Sequence, residues 1–163
     1  MTLKSPSLRS PLERLAPLAQ VALRFALAVP FFRSGLTKWD GVGVLSDSAI
    51  YLFSEEFRLH LFGAQFAYPL PVLMAWASGI AEVLLPVLLI LGFATRWAAL
   101  GLLLMTGIIQ LTIPDGWANY HLPWAAMALA LVTWGPGPLS LDRLIHDRRI
   151  QKRKGPLAGP STP

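Results

Sequence analysis

Long apolar runs broken by single polar residues dominate this chain. Hydropathy reads four of them as helices that cross a bilayer: about residues 16–36, 71–92, 94–113 and 118–134. About 20 apolar residues at ~1.5 Å rise span a hydrocarbon core of ~30 Å, so each run approaches the length of a crossing. The first is the least hydrophobic, holding Gln20, Arg24 and Arg33, and Pro30 predicts a kink in it. The second lies in a stretch between Arg58 and Arg96 whose single formal charge is Glu82, within PLPVLMAWASGIAEVLLPVLLILGF. A carboxylate at the centre of such a span costs roughly 2.5–3.5 kcal/mol on insertion scales, which marks it as a functional candidate and calls for a partner.

Two further segments are predicted to be helical. In the loop 39–69, Ser46 can cap a helix over 47–57, with Asp47 in its first turn and Ile50, Phe53 and Phe57 on one face. After the fourth span, 140–150 places Leu141, Leu144 and Ile145 on one face and basic residues elsewhere, as an interfacial helix does. The segment 155–163, GPLAGPSTP, reads as disordered. The fold class expected is all-α: a four-transmembrane-helix bundle with a long helical extracytoplasmic loop between helices 1 and 2 and a short basic interfacial C-terminal helix. Its parts would be an N-terminal tail 1–14, a membrane domain 15–138 and a basic tail 139–163.

Composition supports the membrane class. The 163 residues are 54% hydrophobic and 14% charged, against about 25% charged in soluble domains. The net charge of +5 comes from the flanks. Lys4, Arg9 and Arg14 precede the first span, Arg96 sits in the second turn, and Arg143, Arg148, Arg149, Lys152, Arg153 and Lys154 follow the last. The loop 39–69 carries Asp40, Asp47, Glu55 and Glu56, and the third turn carries Asp115. This alternation places both termini in the cytoplasm. Trp39 and Trp117 then fall at the outer boundary, Trp97 and Trp134 at the inner one. The N-terminus is not read as a signal peptide, because Arg24 interrupts the apolar stretch and no A-x-A site precedes a polar start. Basic residues do not interleave with aromatics as on a nucleic-acid surface, so no nucleic-acid partner is expected. The chain has no Cys, which removes disulfides, thiolate nucleophiles and Cys-ligated zinc or iron–sulfur centres.

Three groups of residues are candidates for chemistry. Arg24 and Glu82 fall at matching depths, about 12 and 15 Å from the inner ends of their spans at ~1.5 Å per residue, with Ser78 one turn from Glu82. Two readings of this pair stay open: an ion pair that locks helix register, or a polar pocket that holds a head group or relays a proton. Arg33, Lys38, Gln110, Asp115 and His121 form an expected outer polar rim, fit for a quinone head group, for docking a periplasmic protein, or for ordinary interfacial anchoring. Arg96 marks the inner turn. His60, His121 and His146 are too scattered to assign a metal site, and Met74, Met105 and Met127 are ordinary core fillers as well as soft ligands. No catalytic residue is assigned. Ala75, Gly79, Gly101 and Gly107 offer close helix approach.

The ordered set RFALA (24–28), FRSGLTK (32–38), GIAEVLLPVLLILGFATRWAA (79–99), Met105, His121 and GPGPLSLD (135–142) resembles the DoxX family. The resemblance covers roughly residues 15–144. It implies a small four-span bacterial inner-membrane protein, related to a subunit of an archaeal thiosulfate:quinone oxidoreductase, with Arg24, Lys38, Glu82 and Arg96 at the family's polar positions. The long acidic loop and PDGWANYH (114–121) are similar to the subgroup encoded beside metal-responsive peptide-maturation genes. The expected function is a membrane subunit of a redox complex, quinone-linked or concerned with metal or sulfur stress. The alternative is a non-enzymatic anchor or assembly partner for a periplasmic or cytoplasmic protein; a small-solute or metal transporter ranks last. Quinone is the candidate cofactor. The expected partners are the lipid bilayer, a protein of the same complex and a second copy of the chain.

Overall fold

The computed structural model describes residues 11–153. Its frame is four apolar helices: α1 (Pro11–Leu36), α3 (Pro71–Leu91), α4 (Thr95–Thr112) and α5 (Leu122–Trp134). Neighbours run antiparallel in a ring, α1 packing on α3 and α5, and α4 packing on α3 and α5. One end of the bundle carries residues 39–68 and is called the loop end. The other holds the α3–α4 turn and α6 (Leu141–Arg153), and is called the tail end.

The helix boundaries follow from local chemistry. Pro71 opens α3, where its missing N–H would have been unpaired in any case. Gly92 closes it in the left-handed conformation, its N–H returning to the carbonyls of Leu88 and Leu89. Ala94 is also left-handed, with φ of 47°. The α4 N-terminus is then capped from a distance: the Asp142 carboxylate accepts the N–H groups of Ala94 and Thr95 at 2.8 and 2.9 Å. Those two bonds tie α6 to the bundle, together with Asp142 N–H donating to Gly92 O at 2.9 Å. The main core lies in the tail half, built on Leu27, Phe31, Leu89, Leu102 and Leu131.

Among the described residues, three helices are long and apolar enough to cross a membrane: residues Leu15–Leu36 of α1, α3, and α4. The helix α5 has 13 residues, about 20 Å at ~1.5 Å rise. A 3-10 turn (Pro114–Gly116) and a π turn (Trp117–His121) lead into it. The expected disordered segment 155–163 lies outside the described residues.

The loop corrects the all-helical expectation. Ser46 does cap a helix, its Oγ accepting Ala49 N–H at 3.2 Å, but α2 (Asp47–Tyr51) continues only through a π turn to Glu56. Two antiparallel hairpins flank it: β1 (Trp39–Gly41) with β2 (Val44–Leu45), and β3 (Arg58–Leu61) with β4 (Ala64–Ala67). The second turns at Phe62 and Gly63, both with positive φ (51° and 80°), a combination that matches strand twist in two-residue hairpins. Leu45, Ala49, Phe53 and Tyr68 form a second small core against Ala75 on the loop-end half of α3.

Trp39, expected at the outer boundary, packs against α3. Its indole lies against Gly79, where an added Cβ would stand 2.8 Å from Cζ2, and meets Trp76 edge-on at 5.0 Å. Trp97 and Trp134 are exposed at the tail end, 75% and 69% respectively.

Candidate functional site

Glu82 does not pair with Arg24. The carboxylate, 3% exposed, accepts Lys38 Nζ–H at 2.6 Å on Oε2 and Ser78 Oγ–H at 2.7 Å on Oε1. Lys38 also reaches Ser34 Oγ at 3.3 Å. The α1 level that faces Glu82 is Gly35, where an added Cβ would stand 2.8 Å from the Glu82 carbonyl carbon. Arg24 lies eleven residues earlier, about 16 Å along the helix, beyond the reach of its side chain. Counting depth inward from the start of the first apolar run set Arg24 too far in, because α1 starts well below the level where α3 ends. Backbone contact decides the level that counts, and Gly35 permits that contact.

Arg24 instead belongs to the tail end. It is 2% exposed, and its Nη2 donates to Leu139 O. Its Nε and Nη1 have no hydrogen-bond partner among the described residues. Arg96, placed by sequence at the inner turn, lies nearby and donates to Thr133 O at 3.3 Å, packed beside Gly135. These two arginines hold carbonyls in the last turn of α5 and in the segment after it, and are not part of the loop-end site.

A cavity of about 790 Å3 fills the loop-end half of the bundle. Lys38, Glu82, Ser78 and Ser34 supply one polar wall. His121, Tyr120 and Asp115 supply another, and Phe31, Met74, Met105, Ile109 and Trp124 make the space between them apolar. Glu82 and Ser78 of the interior group and part of the outer rim, separate in the sequence reading, therefore face one chamber. Of the rim residues, Lys38, Asp115 and His121 line it; Arg33 is exposed outside it. Gln110 acts behind the wall: its Nε2 donates to Pro114 O at 3.1 Å, which leaves Oε1 to accept from His121 Nδ1 at 2.6 Å. With the proton on Nδ1, neutral His121 has Nε2 free as an acceptor. Backbone fit holds the ring, since a Cβ on Gly116 would stand 2.5 Å from His121 Cε1.

The roof comes from the loop and was not foreseen. Tyr68 and Thr112 hydroxyls bond at 2.6 Å, and His60 Nδ1 meets Leu111 O at 3.1 Å, so the β3–β4 segment clasps the end of α4. Phe53, Phe57 and Tyr68 line the chamber beneath it. The predicted apolar face Ile50, Phe53, Phe57 was the available signal; Tyr68 had none. Volume, apolar walls and a few convergent polar groups are the ordinary properties of a small-molecule site. Among the described residues, no three His, Asp or Glu side chains converge as metal ligands do.

No solved structure matches the chain. A Haemophilus influenzae protein, described as uncharacterized, is 36% identical over 133 residues, covering 76% of this chain and 80% of its own length. The DoxX family model matches residues 19–115, which contain α1 from its third turn, the loop excursion, α3 and α4, and with them Lys38, Ser78 and Glu82. A match over more than half of the 163 residues, on a frame of apolar helices long enough to cross a bilayer, makes this chain a membrane protein of the DoxX family.

Proposed function

We propose that this protein is a four-span inner-membrane subunit that binds a quinone-type molecule in the loop-end cavity and serves a redox complex whose electron-transfer centre lies on another protein. The fourth span in this reading runs from the π turn through α5, residues 117–134, about 27 Å at ~1.5 Å rise. Both termini are cytoplasmic and the loop excursion faces outward, following the distribution of Lys and Arg. The observation that carries the proposal is that the Lys38–Glu82–Ser78 wall and His121 border one largely apolar chamber.

The chemistry fits a quinone ring. Lys38 has three N–H donors, of which Glu82 and Ser34 take two, leaving one for a carbonyl oxygen. His121 Nε2 can accept the hydroxyl of the reduced form. The apolar lining accepts the ring faces. The chain has no Cys to hold an iron–sulfur centre, so it contributes binding and positioning.

Purification in mild detergent, followed by solvent extraction and quantification of quinone, tests the reading. The expected result is near-stoichiometric quinone with the wild type and at least about tenfold less with Lys38→Met/Glu82→Leu, a loss of ~1.4 kcal/mol in binding. Absence of quinone from the wild type, with a soluble protein retained instead, would favour the anchor reading. That second reading draws on the fully exposed hairpin-tip residues Val42 and Phe62.

A further inference from the structure

The cavity has a side opening between α3 and α4. At the tail end these helices close on each other: Gly101 sits against Leu85, where an added Cβ would stand 2.8 Å from a Leu85 methyl carbon. Toward the loop end they are linked across the top by the Tyr68–Thr112 and His60–Leu111 bonds. Between these two closures, Ala77 and Ala81 on α3 and Ile108 on α4 line the chamber. Ala77 is exposed and Ile108 is 50% exposed, so the same side chains that line the interior also face outward. Both belong to helices long and apolar enough to cross the bilayer, and the surface around them is lipid-compatible: Leu73, Ile80, Leu84, Leu104 and Leu111 are all exposed. Next to Ile108, Gly107 has nothing within 4 Å of an added Cβ. The opening is about 16 Å tall, from Gly101 to Thr112 at ~1.5 Å per residue.

We infer that this opening is a lateral window through which a bilayer-dissolved molecule with a polar head and an apolar tail enters head-first, leaving its tail in the hydrocarbon. The inference rests on the proposed ligand reading for the head group, and adds the route and the tail. The polar wall lies behind the window on α3, where Ser78 and Glu82 follow Ala77 and Ala81 in sequence. Small side chains on the α3 edge keep the opening wide, and the Tyr68–Thr112 bond bounds it at the loop end. A molecule entering this way exchanges lipid for apolar protein along its tail. It loses water only at the head, where Lys38 and His121 replace those bonds.

The absence of native cysteine makes the test clean. Ser78→Cys is placed in the cavity wall, and the protein is reconstituted in phosphatidylcholine liposomes with pyrene-maleimide dissolved in the bilayer. The expected result is labelling of Ser78→Cys that slows at least tenfold when Ala77→Trp or Ile108→Trp is added, one on each side of the window. Leu129→Trp, on the exposed face of α5, should leave the rate unchanged. No labelling, or labelling indifferent to both window variants, overturns the window. A second measurement compares ubiquinone-10 and ubiquinone-1: Ile108→Trp should weaken the long-tailed probe at least tenfold and leave the short one bound. If the wild type binds neither quinone, the ligand reading fails while the labelling result still decides the window.

Discussion

Lys38 and Glu82 share a 2.6 Å charge-assisted bond with 13% and 5% of their side chains exposed. Removing one partner from such a pair strands a charge and costs about 3–5 kcal/mol, whereas replacing both by apolar residues is often neutral. Lys38→Met should therefore lower the thermal unfolding midpoint in detergent by several degrees, and Lys38→Met/Glu82→Leu should recover most of it. Equal loss in both variants would show that the pair is not coupled. Asp142 makes a second residue-scale prediction. It supplies both oxygens to the N-terminus of α4, so Asp142→Ala should cost about 1–2 kcal/mol, the range of a lost helix cap. The importance of Glu82 is legible in the sequence, since it is the lone charge of its span. Its partner is not, because pairing depends on how far one helix is shifted along the next. Gly35 sets that shift, and a glycine in a helix carries no mark of what will press against it.

Among the elements, α1 and α3 meet backbone to backbone at Gly35 and Glu82, so Gly35→Val must push them apart. Loss of folded protein is expected by size-exclusion chromatography in detergent. Gly107→Ala is the contrast: open space surrounds it, and helix propensity favours Ala by about 1 kcal/mol, so the melting midpoint should hold or rise. The loop excursion depends on its clasp. Tyr68→Phe removes one hydroxyl pair worth about 1 kcal/mol, so amides of β3 and β4 should exchange about fivefold faster by hydrogen exchange. The capped start of α2 was legible from Ser46 and Asp47, although the expected helix over 47–57 stops at Tyr51. The hairpins were not, because strands of two to four residues are too short for a period of two to stand out. Phe62 added to the difficulty, since a large side chain at positive φ is an uncommon turn residue.

As a whole, the molecule is a ring of apolar helices with a filled tail half and a hollow loop half. The long apolar runs made the ring legible. The hollow was not, because it arises where α3 and α4 separate beneath a roof drawn from another segment. The proposed topology, drawn from the distribution of Lys and Arg, can be tested directly. In the Cys-free background, Phe62→Cys should react with a membrane-impermeant maleimide in whole cells and His146→Cys only after lysis; the reverse pattern would invert the orientation. The central claim is that Lys38, Glu82 and His121 form one binding chamber, and the most direct measurement is calorimetric titration of ubiquinone-1 into the purified protein. Binding by the wild type and by Arg24→Gln, with at least tenfold loss in the folded Lys38→Met/Glu82→Leu and in His121→Phe, is the result predicted. Equal binding by all four proteins, or none by the wild type, would contradict it.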